Sequence, residues 1–325
     1  MRRPRMRRAV QWTVMLGLLL AAAGCDRIGV WSAPAKRPAA HRSAAAVDAD
    51  RVFWAVLHQG EYDRIPEALT AVKAAYLEHP DDAVTASHVG WLHIWRLAER
   101  ARREKVGPEI TDDAVLARKY FEEAVRLNPK EPRYLGFYAS VLMAEGTIHH
   151  DEKLVRRGFF AMKDAVAAWP EFNYFTSGYT MSTLPAESDG YRQALESLWR
   201  NLDVCVGEKV DRVNPDYARY MRLETRDGPK RACWNSWIAP HNFEGFFLNF
   251  GDMLVKAGQP ETAVVMYGNA RLAREHGAWP YRDVLDARIR DARSNVEAFR
   301  QPEPAPGAPA IMIRSRFACT GCHQE

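Results

Sequence analysis

Acidic residues are absent before position 26, cysteines number only five in 325 residues, and no long alternating β-branched run occurs anywhere. Without that alternation there is no support for a sheet. The missing amino-terminal acids leave Arg2, Arg3, Arg5, Arg7 and Arg8 unopposed, and removing those five charges turns the formal +4 into −1. The basic balance therefore belongs to targeting, which argues against a nucleic-acid partner. The apolar run from Ala9 to Gly24 is short for a bilayer span of about 20 residues. Also missing are a Ser/His/Asp constellation, a Walker-type loop and a pair of carboxylates placed for catalysis. What remains is a chain with 47% hydrophobic and 26% charged residues, enough to bury a sizeable core.

The first 24 residues read as an export signal: an arginine-rich start, an apolar stretch, then Ala22-Ala23-Gly24 before Cys25. This resembles a bacterial lipoprotein signal, with Ala22 where Leu is commoner. The resemblance implies that Cys25 becomes the first mature residue and carries acyl chains, each buried methylene contributing about 0.8 kcal/mol to anchoring. It places the protein in the bacterial cell envelope, tethered to a membrane and facing the periplasm. Cleavage without lipid and an uncleaved anchor are the other readings of this segment. Residues 25–46, rich in Ala, Pro, Ser and Arg, suit a flexible tether.

From Val47 to Phe299 apolar residues recur at three- and four-residue spacing, which predicts an all-α domain over residues 47–299. Internal repetition is clearest where Phe247, Phe250, Gly251 and Leu254 precede Gly258, with Ala263, Tyr267 and Ala270 beyond it. Small residues there would let two antiparallel helices approach while large ones fill the groove. The pattern resembles the tetratricopeptide repeat. A second unit pairs Val89, Gly90 and His93 with Ala117, Phe121, Ala124 and Pro129, across an expected insertion at about 101–113. A third runs from Leu135 through Ala139, Leu142 and Gly146, then resumes at Gly158, Met162, Ala165 and Pro170 after another insertion, and a weaker one ends at Ala68, Val72, Ala75 and Pro80. Residues 171–240 fit the repeat poorly. They open, with Trp169, on aromatics that include Phe172 and Phe175, and close near Trp234 and Trp237, which read as core or as the lining of a pocket. Four prolines between Gln301 and Ala310 mark an extended linker over 300–314.

The final segment, 315–325, holds Cys319-Thr320-Gly321-Cys322-His323 with only two residues after it. Behind an export signal, this Cys-x-x-Cys-His pattern resembles the attachment motif of c-type cytochromes. The resemblance implies one covalent haem c, with thioethers at Cys319 and Cys322 and His323 as proximal iron ligand. A thiol-redox pair and a zinc site are the competing readings, the first needing a lowered thiol pKa and the second further ligands. Small cytochromes c take a distal ligand from sequence after the motif, which is missing here, so candidates lie upstream: His149, His150, His241 and Met312. His88 and His93 are weaker, being on a helix that carries packing positions. The linker could span about 60 Å extended, so the haem could fold back on the helical domain. Cys205 and Cys233 remain, as a disulfide worth about 3 kcal/mol or as two buried thiols.

The expected function is one-electron transfer outside the cytoplasm, with the repeat domain docking a redox partner protein. A five-coordinate haem enzyme or gas sensor is one alternative, and a repeat scaffold with accessory haem is another.

Overall fold

A computed structural model describes residues 28–302, 305, 307–315, 317 and 319–325, and the export signal and Cys25 lie outside them. Among the described residues there are helices and no strand, so the protein is all-α. The chain divides into two units, 1–37 and 38–325. Of the first, residues 28–37 are described, and Ile28, Val30 and Trp31 are exposed there.

The second unit is built from α1 (Ala44–His58), α2 (Ile65–Glu78), α3 (Ala83–Ala98), α4 (Ile110–Leu127), α5 (Pro132–Ile148), α6 (Glu152–Ala168), α7 (Pro170–Thr180), α8 (Asp189–Val206), α9 (Asn242–Lys256), α10 (Pro260–Asn269), α11 (Arg282–Arg290), α12 (Asn295–Arg300) and the single turn α13 (Cys319–His323). Their starts are written locally. Side-chain oxygens of Ser43, Asp82, Asp151 and Ser188 accept from first-turn amides of α1, α3, α6 and α8, amides that a helix cannot satisfy internally. Pro66, Pro132, Pro170 and Pro260 sit in first turns, where the missing N–H costs nothing.

Helices adjacent in sequence pack together: α1 on α2, α3 on α4, α5 on α6, α7 on α8 and α9 on α10. The small-against-large contacts expected from the pattern are present. A Cβ at Gly90 would stand 2.8 Å from the Phe121 ring, and one at Gly251 would stand 2.2 Å from the Tyr267 ring. Close approach at these glycines brings the aromatic edge onto bare backbone, which is how the paired helices reach contact.

Three boundaries differ from the sequence expectation. Residues 38–46, read as tether, belong to the folded unit: the Ala39 amide donates to the Asp81 carbonyl at 3.0 Å, Arg42 pairs with Asp50 and Asp82, and residues 44–46 open α1. The insertion expected after Gly146 is only the turn through His149, His150 and Asp151, because α5 and α6 both continue past the pattern. The proline-rich linker ends in a turn, Ile311–Arg314, which is folded onto the domain: Met312 is buried, and its amide donates to Asp252 Oδ2 at 2.7 Å. Asp252, buried on α9, also receives the Tyr267 hydroxyl at 2.6 Å and Arg288 Nε at 3.0 Å. One carboxylate thus ties α9, α10, α11 and the linker together, with its charge matched by Arg288.

Between α8 and α9 the chain is irregular, with short 3-10 turns at Ala218–Leu223 and Pro229–Cys233. A disulfide joins Cys205 to Cys233 across 28 residues and holds this segment to α8. Replacing both cysteines by Ser should cost about 3 kcal/mol by the loop-entropy estimate. The measurement is a denaturant midpoint, and an unchanged midpoint would contradict the expectation.

Candidate functional site

The short helix α13 lies in the interior of the second unit. Cys319 and Cys322 are 2% and 6% exposed, and Thr320 is also buried. Helix α9 makes the closest approach to it: a Cβ at Gly245 would stand 2.6 Å from Cys322 Sγ and from the Gly321 carbonyl carbon and oxygen. Cys319, on the other side, joins the apolar cluster formed by α1, α2 and α3.

A single turn cannot satisfy its own carbonyls, and burial removes water, so other elements must supply donors. Trp279 Nε1 donates to the Gly321 carbonyl at 2.9 Å, and the His241 amide donates to the Cys322 carbonyl at 3.0 Å. At the start of the turn the Cys319 amide donates to Ser315 Oγ at 3.0 Å. The Thr320 hydroxyl donates to Glu99, whose other oxygen lies 2.7 Å from Arg102 Nε. After the motif, the Tyr281 hydroxyl bonds Gln324 and the Glu325 amide donates to the His58 carbonyl at 2.8 Å.

His323 Nδ1 lies 2.8 Å from the Ile238 carbonyl oxygen. A carbonyl only accepts, so Nδ1 carries the proton and Nε2 holds the lone pair. Among the described residues Nε2 has no hydrogen-bond partner. Burial pulls His323 down to about 4, opposed by the bond to Ile238 and reinforced by His58, so the ring is neutral at neutral pH. The same carbonyl also accepts from His58 Nε2 at 3.2 Å. Burial pushes the Cys322 thiol up to about 12, with the Glu244 charge adding to it, and holds Cys319 well above the ordinary thiol range, helped by Glu99.

These properties discriminate among chemistries. A thiol-redox pair needs a depressed thiol pKa, and both thiols here are raised. Zinc needs further ligands, and no group of three His, Cys, Asp or Glu side chains able to hold a metal ion occurs among the described residues. Haem attachment needs two thiols and an imidazole on one turn, the imidazole fixed through Nδ1 with Nε2 free, and Cys319, Cys322 and His323 meet that requirement. The chain matches no known family, no curated protein and no solved structure.

The candidate distal ligands are dispersed. His149 and His150 are exposed after α5. His241 is buried, with Nδ1 3.1 Å from Glu244 Oε1 and its amide on the Cys322 carbonyl. Met312 is buried in the cluster around α9. No hydrogen bond or ring contact links any of the four to His323 among the described residues. His88 and His93 bond Asp50 and Asp113 through Nδ1 at 2.8 and 2.7 Å, and His93 Nε2 is buried without a hydrogen-bond partner among the described residues.

The ring that does approach His323 is Trp91, edge-on at 6.1 Å between centroids. From Trp91 the aromatic contacts run to Phe137 at 4.1 Å, Phe172 at 5.7 Å and Phe175 at 4.7 Å, so the aromatic stretch after Trp169 does lead to the motif. Of the second aromatic stretch, Trp234 is core at 2% exposure, while Trp237 is 69% exposed against Trp54. Ile238, Gly245, Trp279, Glu99 and His58 were not legible as site residues in the sequence. Only Gly245 carried a signal, as a glycine interrupting an otherwise good helix.

Two outcomes test this packing on haem-free protein. Gly245→Ala should unseat the tail, read as faster alkylation of Cys319 and Cys322 under native conditions; unchanged rates would refute the contact. Since the folded thiols sit above their unfolded value of 9.0, unfolded chains lose protons first as pH rises. Stability should therefore decline from pH 9 towards about 12, and that decline should flatten when both cysteines are replaced by Ser.

Proposed function

We propose that the protein is a membrane-tethered monohaem c-type cytochrome that carries single electrons outside the cytoplasm, its helical domain docking a redox partner. The observation that carries this reading is the geometry of His323: oriented through Nδ1 by the Ile238 carbonyl, with Nε2 unbonded among the described residues, on one turn with two thiols. Haem held there supplies a one-electron couple whose potential is set by ligands, hydrogen bonds and burial. Cys319 and Cys322 would hold it covalently, and His323 Nε2 would ligate the iron. Ile238 keeps the imidazole in one tautomer. Trp279 and His241 fix the backbone of the turn, and Trp91 stands edge-on to the imidazole.

Other features of the chain fit the same reading. The contacts of Gly90 with Phe121 and Gly251 with Tyr267 support helical-hairpin repeats of the tetratricopeptide kind, which commonly present a protein-binding face. The segment ending at Ala22-Ala23-Gly24-Cys25 supports export and a lipid tether at Cys25, placing the domain in the cell envelope on the periplasmic side.

One observation favours a second reading, a five-coordinate haem enzyme or gas sensor. His149 and His150 are exposed and Met312 is packed in the apolar cluster around α9, so of the four expected distal ligands only His241, anchored to Glu244 through Nδ1, adjoins the motif.

Protein made with haem-maturation machinery should give a haem c pyridine haemochrome, and Cys319→Ser combined with Cys322→Ser should abolish it. No covalent haem on the intact chain sinks the proposal. Low-spin six-coordinate spectra favour electron transfer, whereas high-spin iron that binds carbon monoxide favours the second reading. His149→Gln and His150→Gln should leave either spectrum unchanged.

A further inference from the structure

Residues 100–109 overlap the insertion expected at about 101–113, and the haem reading does not use them. They form a 3-10 turn at Arg100–Arg102 and then an irregular stretch before α4. Together with Tyr62 they wall a shallow cleft whose lining includes Arg96, Arg100, Arg103 and Lys105, with Glu109 as the one acid. We infer that this cleft binds a small oxyanion, a phosphate or carboxylate group.

The argument is one of charge left over. Arg96 lies 3.4 Å from Asp113, and that same carboxylate is engaged by His93 at 2.7 Å. Arg102 is taken by Glu99. Arg100, Arg103 and Lys105 have no ion pair among the described residues, although Arg100 is only partly exposed and spends one N–H on the Leu97 carbonyl at 2.9 Å. A guanidinium drawn partly out of water without a carboxylate is costly, and the remaining N–H groups form a fork suited to two oxygens of one anion. Tyr62 is not free to compete for the anion, because its hydroxyl donates to the Arg96 carbonyl at 2.7 Å. Glu99 and Arg102 do not line the cleft: Arg102 pairs with Glu99, which accepts from Thr320 of the terminal turn.

The test is calorimetric titration of the purified chain with inorganic phosphate and with citrate, against sodium chloride at equal ionic strength. Saturable binding of phosphate, citrate or both is expected, and the stronger of the two identifies the ligand class. Arg100→Gln and Arg103→Gln should each weaken it roughly tenfold, while Arg226→Gln, an exposed cation elsewhere, should leave it unchanged. If Arg100→Gln loses helicity, Arg103→Gln with Lys105→Gln decides, since both are exposed. Equal binding in all variants, or heats reproduced by chloride, overturns the inference.

Discussion

The contact between α9 and the last turn of the chain is the constraint on which the site depends. Gly245 and Gly321 let a helix and a terminal turn meet backbone to backbone, leaving no room for a Cβ at Gly245. Once seated, the turn draws its hydrogen bonds from residues spread along almost the whole domain: His58 and Glu99 from the first helices, Ile238 and His241 from the segment before α9, and Trp279 and Tyr281 from the region beyond α10. A short peptide of this kind has negligible helical stability alone, since nucleation is unfavourable. Its conformation is therefore a property of the domain.

That dependence explains the chemistry of the motif. Exposed thiols on a flexible tail would titrate normally and oxidise readily. Held between α9 and the α1–α3 cluster, they are dry, and burial outweighs every favourable partner in pushing them towards the neutral form. The same desolvation keeps the imidazole uncharged, and the Ile238 carbonyl then decides which nitrogen is open. Neutral thiols are poorly suited to disulfide exchange.

The sequence made the helices readable because their information is local. Caps at Ser43, Asp82, Asp151 and Ser188, first-turn prolines, and glycine opposed to aromatic within a hairpin all act over a few residues. Two boundaries failed where tertiary contacts decide: Arg42 folds the end of the tether onto α1 and α3, and Asp252 captures the end of the linker through Met312. The motif itself was legible, because Cys319, Cys322 and His323 fall within five consecutive positions. Its surroundings were not, because a backbone carbonyl such as that of Ile238 carries no side-chain signature, and Trp279 and Glu99 look like ordinary helical-domain residues.

The linker shows how the chain reaches the groove. Met312, Ile313 and Arg314 adopt φ values of 54°, 56° and 63°, a left-handed turn built without glycine. Each such residue costs on the order of 1–2 kcal/mol. A bond to buried Asp252 at Met312 and burial of the Met312 side chain offset part of that cost, and the following residues gain the contacts of the seated tail. The strain is thus sustained by Asp252, whose charge is in turn balanced by Arg288. Removing that ion pair would release the linker first and the motif with it, so the integrity of the terminal site is set by a carboxylate sixty residues upstream of the turn it holds. The Cys319–His323 turn can be rigid only if the segment before it is anchored, and here the anchor is a buried charge on the helix that also receives the turn.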